Sequence, residues 1–234
     1  MRRYQDRRVR NLVARAAREN PFYRRIWAEA GVDPDTIRCA TDLAGLPVVT
    51  KSQMREADAE LPPPGVDRSR LVRIRTTGST GNPMEIRRTA AEDKLLAAFR
   101  NRSLLDYGLG VRGTRVHVRA GHTGRPTARG AKDNPWWMRL GFFHLSAVSF
   151  IRDKDRLFEA ISDLRPTSLG GHAGELWRMS REVPREQLRS LGLKFVTASV
   201  ETVPPLVKQQ ISEAFGVPAY ITYGSTEFNL LATE

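Results

Sequence analysis

The sequence predicts an α/β protein in which a mainly parallel sheet is flanked by helices and preceded by a helical N-terminal segment. From residue 153 onward, helix-like and strand-like stretches alternate, ending with a helix over residues 204–215 and a strand over residues 217–222. Such alternation is typical of a parallel sheet with helices on both faces. We therefore predict two domains: a helical segment over residues 1–65 that packs on the body, and an α/β domain over residues 66–234.

The composition is that of an ordinary globular protein with an excess of positive charge. With 234 residues, of which 40% are hydrophobic, the chain can bury a substantial core. Its net charge of +12 comes from 38 basic and 26 acidic residues that are interspersed. Because no basic and aromatic stretch resembles an RNA-recognition signature, we expect no nucleic-acid partner. The single cysteine, Cys39, excludes an intrachain disulfide and a zinc site of several thiolates, and it predicts a cytoplasmic protein.

The helical segment begins with an Arg-rich stretch whose apolar residues, among them Val9 and Val13, recur at helical spacing. It lacks the apolar region of a secretory signal. A helix lying on a membrane surface is the alternative, but the apolar face is small and lacks Trp and Phe. We predict a helix that docks on its own domain, and no membrane insertion.

The next stretches carry clear helix signals. Phe22, Ile26 and Trp27 share one face of a helix that Gly31 ends. Thr50 is a predicted N-cap, because its hydroxyl can accept from N–H groups of the first helical turn.

Residues 76–83, with the sequence TTGSTGNP, form a hydroxyl- and glycine-rich turn between two strand-like runs, residues 71–75 and 84–88. Glycines allow close backbone approach, so N–H groups and hydroxyls can converge on a phosphate. The spacing does not match the P-loop of ATPases and GTPases, which needs two glycines five residues apart followed by Lys. An ordinary polar hairpin loop is the alternative.

A helix is predicted over residues 90–105, with Leu95, Leu96, Phe99 and Leu104 as an apolar stripe that packs across the sheet. It is followed by residues 108–113, a literal G-x-G-x-x-G. A dinucleotide fingerprint requires a strand before and a helix after these glycines, and the order is reversed here. We therefore interpret them as a helix stop before a strand over residues 114–119. Residues 120–134 read as a loop, where His122 is a weak candidate for substrate contact.

The strand over residues 217–222 leads into Tyr223, Gly224, Ser225, Thr226 and Glu227. Open α/β sheets bind ligands at the carboxyl ends of their strands. An aromatic ring, two hydroxyls and a carboxylate at such an end predict a nucleotide site.

Both motifs, taken together, resemble those of adenylate-forming enzymes of the phenylacetate-CoA ligase family, in their N-terminal part. TTGSTGNP is similar to the phosphate loop of that superfamily, and YGSTE is similar to its later adenylate-binding motif. Three further stretches follow the style of the family in the same order: ENPFYRR from residue 19, AGVDP from residue 30 and LPVVTK from residue 46.

The resemblance implies an ATP-dependent carboxylate ligase that forms an acyl-adenylate from a small carboxylic acid, with ATP and Mg²⁺, and with CoA as an acyl acceptor. It implies that phosphates are held by residues of the first motif, namely Thr76, Thr77, Gly78, Ser79, Thr80 and Gly81. It further implies that Tyr223 stacks on adenine, with Gly224 and Ser225 beside it. Thr226 would meet the α-phosphate, and Glu227 would hold magnesium, so these two are the expected catalytic residues.

Other positions depart from the family pattern. The stretch over residues 136–176 looks closer to the branch associated with capsular polysaccharide synthesis. The resemblance implies an acyl pocket near its aromatic residues, and core packing is the alternative reading; they are Trp136, Trp137, Phe142, Phe143 and His144. Residues 170–174 stand where the family has a turn after a strand. Ser199, Val200 and Glu201 stand where it often has Gly-Gly-Glu beside the adenine, so side chains replace two glycines.

The chain ends before the family's hinge and its C-terminal domain with the catalytic lysine. We therefore expect a truncated protein that is inactive in full catalysis, and the alternative is a nucleotide-binding or interaction module that has lost catalysis. A last strand over residues 217–222 would leave an open sheet edge, which favours a homodimer.

Overall fold

The structure is a computed structural model that describes residues 2–58, 60–61, 65–76, 83–119, 140–151 and 156–234. The chain divides into two compact units, Met1–Asp93 and Lys94–Glu234. The predicted domain boundary at residue 65 stays a prediction.

The first unit consists of short helices and one hairpin. Its α-helices are α1 (Arg2–Glu19), α2 (Pro21–Glu29), α3 (Lys51–Glu56) and the first turn of α4 (Ala90–Asp106). Short 3₁₀ helices lie at Pro34–Thr36, Ala40–Gly45 and Arg68–Arg70. Strands β1 (Val72–Arg75) and β2 (Glu85–Arg88) pair antiparallel.

The core of the first unit forms where α2 packs against α1. Phe22, Ile26 and Trp27 are buried as predicted, and α1 contributes Val13. Helix α1 thus packs within its own unit, whereas Leu12, a further apolar residue at the predicted helical spacing, is 67% exposed. The apolar stripe of α1 is wider than the surface that packs against it, so Leu12 at its margin remains exposed to solvent.

The second unit is built on a six-stranded sheet in the order β4-β3-β5-β6-β7-β8. Its strands are β3 (Thr114–Arg119), β4 (His144–Ser149), β5 (Ser168–His172), β6 (Phe195–Ser199), β7 (Ala219–Tyr223) and β8 (Ala232–Thr233). Its helices, besides most of α4, are α5 (Leu157–Ser162), α6 (Ala173–Glu182), α7 (Arg185–Ser190) and α8 (Pro205–Phe215). Strands β3 to β7 are parallel, and only β8 runs antiparallel. The predicted α/β class with a mainly parallel sheet is confirmed.

The two faces of this sheet differ in chemistry. One face carries the apolar core, in which Val116 and Leu169 are fully buried together with Leu176 of α6 and Ile211 of α8. On the other face, Leu104 at the end of α4 packs with Phe195 and with neighbouring aromatic rings. Within the described ranges, each helix is too short or too polar to cross a membrane.

Three expectations about local structure are wrong. Leu95 and Phe99 of the predicted α4 stripe are 54% and 57% exposed, whereas Leu104 is buried, so only the end of that stripe packs. Strand β5 continues through two glycines to His172, where a turn was expected. Strand β8 pairs with Thr222 and Tyr223, so the open edge from which a homodimer was inferred is covered at the end of β7. The homodimer itself stays a prediction.

Candidate functional site

The register of the parallel strands brings the ends of β5, β6 and β7 to one edge of the sheet. His172, the last residue of β5, pairs with Ser199, the last residue of β6. Thr222 near the end of β7 lies beside the same strand and donates its hydroxyl to the Ala198 carbonyl at 3.4 Å. This is the edge at which open α/β sheets bind ligands.

Tyr223 ends β7 with its side chain in solvent, since the residue is 67% exposed. The following Gly224 is required by close packing, because an added Cβ would overlap the carbonyl oxygen of Asn229. That carbonyl lies in the turn that returns the chain to β8. The turn therefore presents the tyrosine ring at the sheet edge, in a position suited to stacking on a planar base.

The residues after Gly224 form a tight turn rather than an extended loop. The Ser225 hydroxyl accepts the N–H of Phe228 at 3.3 Å, and its carbonyl accepts the N–H of Asn229 at 2.7 Å. Asn229 has a φ of 65°, a left-handed conformation that Asn tolerates. Thr226 and Glu227 sit inside this turn and are partly buried. Ser225 thus stabilises the turn through its hydroxyl and its carbonyl, a structural role that the prediction of nucleotide binding did not include.

Glu201 connects the end of β6 to the start of helix α6. Its Oε2 accepts the backbone N–H of Gly174 at 2.7 Å, and its Oε1 lies 4.0 Å from His172 Nδ1. Gly174 is in the first turn of α6, where unpaired N–H groups and the helix dipole favour a carboxylate. The carboxylate of this acid is therefore engaged with α6.

Val200 is strained. It has a φ of 80°, in a region that glycine adopts readily and β-branched residues rarely do. This is one of the positions at which the family resemblance implies glycine. The backbone at this position thus has a conformation typical of glycine, although the residue is valine.

In the first unit, Thr76 closes the β1–β2 hairpin. Its N–H donates to the Met84 carbonyl at 2.9 Å, and its hydroxyl accepts the Met84 N–H at 2.8 Å. The two strand-like runs flanking the glycine-rich turn are confirmed as an antiparallel pair.

The other predicted phosphate-binding residues lie outside the described residues, namely Thr77, Gly78, Ser79, Thr80 and Gly81. His122, Trp136 and Trp137 also lie outside them. Of the remaining aromatic residues, Phe142 and Phe143 are partly buried, and His144 is buried as the first residue of β4. Their role in an acyl pocket stays a prediction.

Two residues of β3 with strongly lowered pKa values, Arg115 and His117, were not among the predicted site residues. Burial, with a smaller effect of nearby Arg100, lowers the pKa of Arg115 to about 10. Burial first, and then the positive charge of Arg115 and Arg119, lowers the pKa of His117 to about 3. The alternation of polar and apolar residues in TRVHVR could have predicted them, because it places Arg115 and His117 on one polar face of the strand.

Glu227 is a candidate magnesium ligand because carboxylate oxygen suits this hard cation. The described residues contain no group of three or more His, Cys, Asp or Glu side chains that could hold a metal. Mg²⁺ in nucleotide sites is commonly held by one or two carboxylates together with phosphate oxygens, so Glu227 needs no such group around it to serve as a ligand.

Comparison with known proteins confirms the resemblance, although no family model matches the chain. The chain is 26% identical to a phenylacetate-coenzyme A ligase of Thermus thermophilus, an alignment that covers 97% of this chain and 50% of the relative. It is also 26% identical to a phenylacetate-coenzyme A ligase of Pseudomonas putida, covering 97% of this chain and 51% of the relative. The chain thus spans about half the length of the curated relatives that it matches.

Solved structures give the same result. A 2-hydroxyisobutyryl-CoA ligase in complex with 2-HIB-AMP and CoA, in an open conformation, superposes with a TM-score of 0.72 at 25% identity. That match covers 95% of this chain and 49% of the ligase. The same enzyme in its thioesterification state gives a TM-score of 0.70 at 27% identity, covering 94% of this chain and 48% of the ligase. Over nearly its whole length, the chain resembles an N-terminal portion of the adenylate-forming enzymes of the phenylacetate-CoA ligase type.

Proposed function

We propose that this chain provides the nucleotide-binding part of an ATP-dependent ligase that activates a small carboxylic acid as an acyl-adenylate. The observation that carries the proposal is the turn after β7, which presents an exposed tyrosine, two hydroxyls and a carboxylate at the carboxyl edge of a parallel sheet. The relatives named as phenylacetate-coenzyme A ligases support it, as does the neighbour that holds an acyl-AMP and CoA.

In this proposal the protein supplies position and charge rather than a covalent nucleophile. Attack of a carboxylate on the α-phosphorus needs an aligned nucleophile and stabilised phosphate charge. The Tyr223 ring would stack on adenine, the Thr226 hydroxyl would meet the α-phosphate, and Glu227 would help to hold Mg²⁺. Thr76 would contribute at the start of the phosphate loop. CoA is the proposed acyl acceptor, and a cytoplasmic location is proposed with it.

A titration of the 234-residue chain with ATP and Mg²⁺ by calorimetry tests the nucleotide site directly. We expect binding that weakens at least 10-fold in Tyr223→Ala, because stacking on an aromatic ring contributes about 1–3 kcal/mol per base. Tyr4→Ala is the matched control, since Tyr4 is 55% exposed on α1. Absence of ATP binding, or equal binding by the two variants, would contradict the proposed site.

Pyrophosphate exchange by the full-length protein, with a panel of carboxylic acids, tests the reaction. Exchange that depends on one acid supports the ligase. The second candidate function is a nucleotide-binding or interaction module without catalysis. The strained Val200 at the wall of the site favours it, because a side chain there occupies space that glycine would leave open. ATP binding without exchange for any acid would support the module and count against the ligase.

A further inference from the structure

The face of the sheet opposite the main apolar core carries a half-buried arginine whose side chain crosses β5 and reaches β6. Arg115 starts on β3, and its Nη2 donates to the Thr197 hydroxyl of β6 at 2.7 Å. The side chain crosses β5 over Gly170, where an added Cβ would overlap Arg115 Nη2 and lie 2.7 Å from Thr197 Oγ1. The glycine in the middle of β5 therefore provides the space that the guanidinium occupies.

One side of this guanidinium has no hydrogen-bond partner. Arg115 Nη1 is shielded from solvent, and among the described residues nothing accepts a hydrogen bond from it. Guanidinium groups cannot lose their charge at neutral pH, and leaving a buried donor unpaired costs about 1–3 kcal/mol or more. Such a group in a native protein indicates an acceptor that the described residues do not supply, such as a water, an ion or a ligand.

The surroundings of Arg115 are positive. Arg100 is close enough to lower the pKa of Arg115, and Arg100, Arg119 and His172 each contribute to the low pKa of His117. No carboxylate of the described residues contributes to either shift. The desolvated charge at this place is that of Arg115, and such charges in proteins are normally compensated by an opposite charge, so the unpaired side of its guanidinium is suited to an anion.

The position of the cluster relates it to the sheet edge. Arg115 pairs with Ser168 at the start of β5, but its side chain reaches Thr197, which pairs with Gly170 two residues further on. Thr197 is followed by two residues before the strained turn residue Val200. At a rise of about 3.3 Å per residue, the guanidinium lies roughly 7–10 Å from the edge at which the proposed nucleotide site stands.

We propose that Arg115, with Gly170 and Thr197, forms a binding site for the distal carboxylate of a short dicarboxylic acid whose other carboxylate reaches the sheet edge. The planar fork of arginine matches a carboxylate with two parallel hydrogen bonds, which gives both charge and orientation. This inference rests on the proposed function for the role of the second carboxylate. The anion site itself does not depend on ATP binding.

Calorimetry on the 234-residue chain at constant ionic strength tests the site. The probes are linear diacids from succinate to adipate, each compared with the monocarboxylate of the same chain length, and inorganic phosphate. We expect one diacid to bind at least 10-fold more tightly than its monocarboxylate. Equal affinity for every such pair would overturn the proposal, and tight binding of phosphate alone would replace the diacid by a phosphate-bearing ligand.

Variants separate this site from general attraction by the positive chain. Arg115→Gln should abolish the diacid preference, and Arg115→Lys should restore only part of it, because lysine keeps the charge without the fork. Arg156→Gln is the control for lost charge, since Arg156 is exposed beside α5 and pairs with Glu159. Unchanged preference in Arg115→Gln, or an equal loss in Arg156→Gln, would contradict the proposal.

Folding and ATP binding are followed in the same samples. If Arg115→Gln does not fold, Gly170→Ala displaces the guanidinium while the arginine remains, and the wild-type diacid comparison still decides the outcome. Diacid binding without ATP binding would preserve the anion site and refute the proposed function. ATP binding with no diacid preference would refute the anion site and leave the proposed function standing.

Discussion

Replacement of Val200 by glycine is expected to stabilise the second unit. Val200 has a φ of 80°, and a left-handed conformation costs an L-residue with a Cβ roughly 1–2 kcal/mol. The residue is 69% exposed, so its side chain gains little from burial. Glycine removes the strain, but it adds about 0.5–1 kcal/mol of backbone entropy to the unfolded chain. The net expectation is a gain of about 1 kcal/mol.

The matched control is Val200→Ala, which removes the branched side chain and keeps the Cβ. If the strain comes from the backbone conformation, the alanine variant stays close to wild type while the glycine variant exceeds it by about 1 kcal/mol. Urea unfolding monitored by circular dichroism gives the free energy of unfolding. A thermal scan should show a rise of about 2–4 °C in the midpoint. A glycine variant no more stable than the alanine variant would refute the argument.

Three further predictions concern other parts of the molecule. Between pH 7 and pH 5, His117→Gln should lose less stability in urea melts than wild type does. The pKa of His117 is about 3 in the folded protein and near 6.5 in the unfolded chain, so falling pH destabilises wild type by up to about 1.4 kcal/mol per pH unit in this window. Equal losses in the two proteins would contradict this. Phe215→Ala, at a site that is 2% exposed in α8, should reduce the free energy of unfolding by about 3–5 kcal/mol, and a loss below 1 kcal/mol would speak against a packed core there. Thr50→Ala should destabilise the first unit by about 1 kcal/mol in thermal melts, because the Thr50 hydroxyl accepts the N–H of Gln53 at the start of α3, and Thr50→Ser should recover most of that loss.

The fold was predictable where one local signal decides the structure. Phe22, Ile26 and Trp27 lie at i, i+4 and i+5, a spacing that only a helix places on one face, and all three are buried. The stretches after residue 153 were also predictable, because helix-like and strand-like patterns alternate there, and they form the parallel strands and the helices that cover them. Apolar periodicity shows which residues share a helix face but not whether another element packs on that face. Leu95 and Phe99 of α4 were therefore predicted to be buried, and they are exposed.

The extent of β5 was not predictable, because its glycines have a non-local cause. The turn expected at residues 170–174 came from the family resemblance, and the low strand propensity of Gly170 and Gly171 gave no signal against it. In the structure, Arg115 lies over Gly170, and an added Cβ on Gly171 would come within 2.6 Å of the Val118 carbonyl. Both causes lie on β3, more than fifty residues earlier in the chain. Only the three-dimensional register shows that these glycines make room for a neighbour.

The candidate site divides its polar groups between structure and ligand binding. The Ser225 hydroxyl caps the turn after β7, and the Glu201 carboxylate accepts an N–H at the start of α6. A sequence motif names both residues without showing that these atoms already have partners. The exposed ring of Tyr223 is therefore a stronger candidate for direct nucleotide contact than Ser225. Glu201 directly follows Val200, so the strained residue and the carboxylate that accepts the Gly174 N–H at the start of α6 belong to the same turn, and the Val200→Gly variant perturbs both.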